Sequence, residues 1–470
     1  MPNLSYLKSI QLPILLVILS TFFYIAFAYD LQRTDYTKLV LLYAGLFSLF
    51  YKLIQFMKHD FKFLVVISVV FRLLFLFSIP NLSQDFYRFI WDGRMILEGF
   101  NPYLYTVDSF INSGQSPVNQ ALELHEGMGA LSASHYTNYP PINQLCFVIA
   151  GIFAGNNILG SVIVMRLLII AADIGILYFG KKLLTQLKLP IHNIFWYLLN
   201  PFIIIELAGN LHFEAVMIFF LVWGLYLLKM GKWQLAAIVF ALSISIKLIP
   251  LIFLPIFFQY FMKKDHAFSM NNNSSNTILS RLFRLVLFYF IIIGVVIILF
   301  LPFLSYDFIN NYAETVGLWF RNFEFNASLY YLAREYGYTY RGFNEIAVIG
   351  KIIPLVVLFF TLVITFFRKN KTGIELITAM LFVLTFYYFT ATTIHPWYIA
   401  TLLILSIFTR YKFPLVWSFI IIISYLAYAN SNNIENLWII GFEYVVVYSV
   451  FFWEIFKKNP KGQTLFNTDS

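Results

Sequence analysis

Acidic and basic side chains are concentrated in one short segment, Asp85–Arg94, of an otherwise apolar chain. If this segment is helical, the three- and four-residue spacing places Asp85, Arg88 and Asp92 on one face. A carboxylate there could act as a general base, and an arginine could bind an anionic group. The same spacing is also typical of solvated ion pairs on a helix anchored at the membrane surface by Trp91. Both interpretations remain open at this point.

Other versatile polar residues fall into two groups. Those in predicted outer loops are His125, His135, His212, Glu214, Arg321, Glu324, Arg334, Arg341 and His395. Those inside apolar runs are Arg72, Arg166, Asp173, Glu206 and Lys247. A charge at membrane depth is costly, so each of the second group is a functional candidate. Arg166 and Asp173 lie seven residues apart on one helix face, which suits a structural charge-pairing role equally well.

The composition defines the elements that must position these residues. The chain has 470 residues, of which 60% are hydrophobic and 12% charged, whereas soluble domains carry about 25% charged residues. We therefore predict an all-α, polytopic membrane protein with about 11 to 13 spans. The net charge of +9 comes from short Lys and Arg clusters between apolar runs, which indicates topology determinants and no nucleic acid partner. The single cysteine, Cys146, excludes an intramolecular disulfide.

The positive clusters predict one orientation for a single domain spanning 1–470. Both termini are expected in the cytoplasm, with a first large extracytoplasmic loop at 81–140, a cytoplasmic linker at 262–284 and a second large outer loop at 304–345. Polar residues then gather on the outer face, so we expect the active site there. Two regions are ambiguous: 141–180 permits one crossing preceded by an interfacial or re-entrant piece, and 233–262 suits two short helices that turn near Lys247.

The segment from Asp85 to Arg94, with Gly99-Phe-Asn-Pro-Tyr103 after it, resembles the first extracytoplasmic loop of polyprenyl-phosphate-dependent mannosyltransferases. It also resembles their bacterial relatives of the C-type glycosyltransferase fold. Further similar motifs are Tyr139-Pro140-Pro141, Asn200-Pro201 through His212, Lys247-Leu-Ile-Pro250 and His395-Pro-Trp-Tyr398. Glu214 departs from the pattern, because many relatives have Asp at that position.

The resemblance implies an inverting transfer of a hexose, most simply mannose, from a polyprenyl-phosphate sugar to an extracytoplasmic glycan or glycolipid. It gives the role of general base to Asp85, with Asp92 as the second candidate. For the departing phosphate we expect the cations Lys247, Arg321 and Arg341, with His212 and His395 as hydrogen-bond donors. The remaining substrate-binding residues expected from the motifs are Arg88, Trp91, Arg94, Tyr139 and Glu214.

Structural alternatives accompany each of these assignments. Lys247 could snorkel from a helix end, and Arg321 and Arg341 could be solvated loop charges. The first loop has no adjacent acidic pair, so we expect neither a metal ion nor another cofactor.

Two competing functions fit the same composition. One is a flippase or transporter of lipid-linked glycans, although the absence of a convincing internal repeat weakens a transporter built from inverted halves. The other is a transferase of the same fold that moves an amino sugar or a pentose. Richness in Phe, Ile, Lys and Asn suits an AT-rich bacterial genome, so we expect a bacterial inner membrane.

Overall fold

The computed structural model describes residues 4–263, 277–430 and 432–457, with side chains from residue 11 onward except those of 319–321. Within these ranges the chain is helical, and its one piece of β pairing is an isolated bridge between Phe325 and Thr393. The prediction of an all-α, polytopic fold is confirmed. Most of the predicted linker 262–284 lies outside the described residues.

The α-helices of the described ranges have the following bounds. In chain order they are α1 (Leu4–Tyr29), α2 (Tyr36–Met57), α3 (Phe61–Leu73), α4 (Asp85–Leu97), α5 (Val107–Asn112), α6 (Ala121–Ala133), α7 (Pro141–Ala154), α8 (Ile158–Gln186), α9 (Phe195–Leu198), α10 (Pro201–Ile203), α11 (Glu214–Lys229), α12 (Trp233–Ile244), α13 (Phe257–Met262), α14 (Ile278–Phe300), α15 (Tyr306–Arg321), α16 (Leu329–Arg341), α17 (Ile346–Phe367), α18 (Gly373–Thr390), α19 (Ile399–Ser406), α20 (Phe413–Ile420) and α21 (Leu437–Phe456).

Seven of the described helices are long and apolar enough to cross a membrane, and a bent pair, Ile191–Leu198 with Pro201–Gly209, makes an eighth candidate. Five further apolar helices have 10 to 17 residues. The predicted 11 to 13 spans are therefore not all full-length helices. Several apolar runs are instead divided into short or bent pieces, because prolines and non-α turns interrupt them.

The clearest of these interruptions lies between α12 and the 3₁₀ segment Ile249–Ile256. Pro250 and Pro255 remove backbone donors from an α-helical ladder, and the chain turns at Lys247 as the sequence predicts. A second interruption is the π-helical segment Ile204–Gly209, a geometry that recurs at functional sites. Both interruptions place polar side chains at the ends of apolar segments.

The segment 81–140, predicted to be the first outer loop and named so below, is anchored by close contact between α4 and α7. At Gly93 a side chain would not fit, because a Cβ atom there would lie 2.4 Å from the backbone oxygen of Phe147. Phe89 stacks on Phe147 with ring centroids 4.6 Å apart. This packing buries one face of α4 and leaves Asp85, at its first turn, facing a cavity.

Charged residues in the apolar runs serve largely as structural ties. Arg72 binds Asp173 at 2.6 Å, and both side chains are almost fully buried. Arg166 donates hydrogen bonds to backbone carbonyls, among them those of Ala208 and Gly209. Arg166 and Asp173 are therefore both held structurally, but with different partners rather than with each other.

Candidate active site

A cavity of about 810 Å³ opens where the two large loops that the sequence predicts to be extracytoplasmic meet the ends of the apolar helices. Its wall includes Asp85 and Tyr139 from the first outer loop, Lys247 from the break after α12, and His395 with Tyr398 from the segment before α19. Five residues from four separate motifs of the sequence thus converge on one space. This convergence makes the cavity the candidate active site.

Asp85 is the carboxylate best placed for chemistry. It occupies the first position of α4 after the cap residue Gln84 and is half-buried in the cavity wall. Among the described residues none donates a hydrogen bond to its carboxylate. Burial raises the pKa of Asp85 to about 6, while the positive charges of Lys247 and Arg33 oppose that rise. A carboxylate with this pKa is ionised at neutral pH and basic enough to accept a proton.

Lys247 reaches the cavity from the turn that follows α12. Its ammonium lies 2.5 Å from Glu214, whose side chain is 2% exposed. Glu214 begins α11, and its second carboxylate oxygen has no hydrogen-bond partner among the described residues. Glu214 therefore fixes and neutralises Lys247 and does not reach the cavity as a substrate contact.

Arg33 was not selected from the sequence, yet it lines the cavity. It comes from the short turn between α1 and α2, and its guanidinium carbon lies 4.2 Å above the ring of Tyr428. Its guanidinium donates one long hydrogen bond, 3.4 Å, to the carbonyl of Leu82. No described carboxylate pairs with it, so Arg33 brings an uncompensated positive charge to the cavity.

His212 and His395 belong to a stack of rings behind the cavity. His212 lies 3.7 Å from Trp397 and His395 lies 4.5 Å from the same indole, centroid to centroid. Burial lowers the pKa of His395 to about 3 and that of His212 well below its ordinary value. Both imidazoles are therefore neutral at physiological pH. His395 reaches the cavity wall, whereas His212 supports Trp397 from behind.

Arg88 and Asp92 form a buried ion pair rather than a solvated one. Their atoms are 2.8 Å apart, and the side chains are 4% and 0% exposed. Arg88 also donates to the carbonyls of Ser132 and His135, and Gln144 donates to Asp92. The interpretation as an exposed ion pair is wrong, since α7 and the end of the first loop cover this face of α4. Asp92 is not part of the cavity wall.

We expect Arg88→Met to destabilise the protein strongly. The substitution leaves the buried carboxylate of Asp92 without its cation, which typically costs about 3 to 5 kcal/mol. Thermal or denaturant unfolding in detergent should show this loss. The matched control is Arg341→Ala, which removes the long, 3.7 Å pair of the exposed Arg341 with Glu345 and should cost at most about 1 kcal/mol. Equal stability of the two variants would contradict the buried tie.

Three other expected substrate contacts lie elsewhere. Trp91 is buried and donates to the sulfur of Met95. Arg94 donates to the carbonyl of Asn119. It follows Asp85 by nine residues, which places it on the opposite face of α4, toward the interior of the first loop. Arg341 is 71% exposed. None of the three is in the cavity wall, and the side chain of Arg321 lies outside the described residues.

A polar cluster from the second outer loop completes the cavity. Glu324 accepts hydrogen bonds from Tyr330, Arg334 and Asn344. The guanidinium of Arg334 also lies 4.3 Å from the ring centroid of Tyr331. Both Glu324 and Arg334 line the cavity. The sequence marked these two as outer polar residues, but it did not connect them with Asp85.

Residues 18–263, slightly more than half of the chain, match the family model described as "Alpha-(1->6)-mannopyranosyltransferase, N-terminal domain". A curated relative, Alpha-(1->6)-mannopyranosyltransferase A of Mycobacterium tuberculosis (strain ATCC 25618 / H37Rv), is 22% identical over 181 residues. That stretch is 38% of this chain and 33% of the relative's length.

The matched region, residues 18–263, includes two residues of the cavity wall, Asp85 of α4 and Lys247 after α12. The apolar, all-helical architecture agrees with it. The chain therefore belongs to the alpha-(1->6)-mannopyranosyltransferase family, as a multi-pass membrane protein.

Proposed function

We propose that the protein transfers mannose from a polyprenyl-phosphate donor to a hydroxyl of an extracytoplasmic glycan or glycolipid, with inversion at the anomeric carbon. The observation that carries the proposal is the cavity in which the unpaired carboxylate of Asp85 stands near two cations, Lys247 and Arg33. Family membership supports the sugar, and the cavity chemistry supports the kind of step. The donor and the acceptor class rest on the argument below.

The arrangement supplies what a direct displacement needs. The acceptor hydroxyl gives its proton to Asp85 while its oxygen bonds to the anomeric carbon, and the bond from that carbon to the phosphate oxygen breaks. Negative charge then accumulates on the departing phosphate. Arg33 is the suitable group to stabilise it, since its own charge is uncompensated, and Lys247 contributes from its pair with Glu214. Attack opposite the leaving phosphate inverts the configuration.

The position of the cavity supports a lipid-linked donor. The loops that form it connect the ends of apolar helices, so the cavity lies at the membrane boundary. Nucleotide sugars are cytoplasmic, and a donor used on the outer face must therefore arrive through the membrane. A polyprenyl phosphate has its lipid chain in the membrane and presents its sugar at the membrane boundary, where the cavity lies.

Purified protein supplied with alternative donors tests the proposal. Polyprenyl-phosphate mannose should give a product with one added hexose by mass spectrometry, whereas donors carrying an amino sugar or a pentose should give little. Efficient transfer of either of those sugars would overturn the choice of mannose. Transfer from a nucleotide sugar alone would overturn the donor class.

The pKa of Asp85 predicts the pH dependence of transfer. The base acts as a carboxylate, and the pKa is raised to about 6. Because the ionised form is present above that value, kcat/KM should be maximal at pH 7 and above. It should fall about tenfold per unit below pH 6. A rate constant that stays level down to pH 4 would argue against Asp85 as the titrating base.

We further propose that the cavity faces the exterior of a bacterial inner membrane and that both termini are cytoplasmic. The basis is the segregation of Lys and Arg clusters. Cysteines introduced at two exposed positions, Asn112→Cys in the first large loop and His59→Cys between α2 and α3, report the two sides. After Cys146→Ser, an impermeant thiol reagent added to cells should label only the first. Reversed labelling would contradict the orientation.

A further inference from the structure

A second pocket lies at the opposite end of the membrane helices from the cavity. It has a volume of about 320 Å³, and its lining includes Phe258, Gln259, Phe366, Arg368, Lys369 and Lys371. The helix α17 begins directly after the second outer loop and ends at Phe367 beside this pocket. Its 22 residues rise about 33 Å at 1.5 Å per residue, which is the thickness of the hydrocarbon layer. The pocket therefore lies on the other membrane face.

Amide side chains cap the end of α17, so the last carbonyls of this helix need no hydrogen bonds from the neighbouring lysines. Gln259 donates to the carbonyls of Thr365 and Arg368, both at 2.7 Å, and accepts from the backbone N–H of Asn370. The side chain of Asn370 donates to the carbonyl of Ile364 at 2.7 Å. These bonds satisfy acceptors that a helix C-terminus leaves open. They also fix the shape of the turn that carries three cations, Arg368, Lys369 and Lys371.

The three cations have no acidic partner among the described residues. Arg368 uses a single nitrogen, Nη1, for its bonds to Asn370 and to the backbone carbonyl of Glu375. The carboxylate of Glu375 accepts from the backbone N–H groups of Lys371 and Thr372. It is therefore turned toward the start of α18 and not toward the ammonium groups. Lys369 and Lys371 are exposed.

The pocket also has an apolar side. The rings of Phe258 and Phe366 meet edge to face with centroids 5.3 Å apart, and the neighbouring Phe367 is 86% exposed. We propose that this pocket binds the phosphate headgroup of an anionic membrane lipid, with the cations on the phosphate and the lipid chain along the phenylalanines. Clusters of Lys and Arg beside a membrane helix attract such headgroups.

The positive-inside rule accounts for basic residues on this side but not for their arrangement. The rule requires only that positively charged residues lie on the cytoplasmic side. Here Gln259 and Asn370 also fix the shape of the turn, and a pocket opens beside it. A free phosphate ion would use the cations equally well. It would gain nothing from the exposed rings, and this difference separates the two sources in an experiment.

The test is a binding measurement, so its outcome does not depend on the proposed sugar transfer. The purified full-length protein is titrated with phosphatidylglycerol, phosphatidylcholine or inorganic phosphate and followed by native mass spectrometry. The variant Lys369→Gln with Lys371→Gln should bind phosphatidylglycerol about 30-fold more weakly, since each lysine near the surface contributes about fivefold. The control, Lys52→Gln with Lys62→Gln, removes two exposed lysines outside the pocket.

Tight binding of phosphatidylglycerol that weakens only in the pocket variant would support the site. Equal weakening in both double variants would show attraction to general surface charge and overturn it. Inorganic phosphate that displaces the lipid at equal concentration would identify a free-anion site and overturn the lipid assignment.

Discussion

We expect Asp85→Asn to lower the rate of sugar transfer by about 10²- to 10⁴-fold, the loss typical of removing a general base. The amide keeps the size of the side chain but cannot accept the proton of the acceptor hydroxyl. Asp85 accepts no hydrogen bond from a described residue, so the fold should tolerate the change. Product formation from polyprenyl-phosphate mannose, measured beside a thermal unfolding curve, separates catalysis from folding.

The matched control is Asp108→Asn in the same outer loop. Asp108 is partly exposed and lies 2.8 Å from His125, away from the cavity wall. The substitution should leave the rate of transfer within about twofold of the parent protein, because exposed pairs of this kind contribute little. Near-normal transfer by folded Asp85→Asn protein would remove Asp85 as the base.

Arg33→Gln should lower kcat by about 10²- to 10³-fold, the range found when one donor to a developing negative charge is removed. Arg33 stands in the cavity without a described carboxylate partner, whereas the charges of Lys247, Arg88 and Arg334 are each paired. The charge on the phosphate grows as the glycosidic bond breaks, so the loss should be larger in kcat than in the affinity for donor.

Two variants qualify this result. Arg33→Lys keeps the charge but loses the planar fork, so it should recover part of the rate. Arg341→Gln removes an arginine that is 71% exposed and outside the cavity, and transfer should be unchanged. Equal, small losses in Arg33→Gln and Arg341→Gln would mean that Arg33 has no role in the reaction.

The sequence predicted much of the architecture because its signals are local. Apolar runs and basic clusters defined an all-helical membrane protein, and the motif around Asp85 defined the first outer helix. The turn at Lys247 was predicted because 234–261 is too long for one span while the charges require an even number of crossings. Each of these inferences depends on residues close together in the chain.

The errors in the site come from contacts between distant segments. Arg33 was missed because its turn lies about 50 positions from Asp85, and no spacing rule connects them. Asp92 and Arg94 were selected with Asp85 because they share its motif. The packing of α7 buries Asp92, and the helical period places Arg94 on the face of α4 opposite Asp85. Glu214 and Lys247 are 33 positions apart in the sequence, and their pairing follows from tertiary contact between α11 and α12.

Transfer by the purified protein in liposomes tests the central claim most directly. The liposomes contain polyprenyl-phosphate mannose with a labelled sugar, and the acceptor is supplied on the side of the cavity. The account predicts a new glycosidic bond of inverted configuration in the acceptor, formed by the parent protein and reduced at least about 100-fold in Asp85→Asn. Movement of labelled lipid across the bilayer with no bond formed would contradict it and favour a flippase.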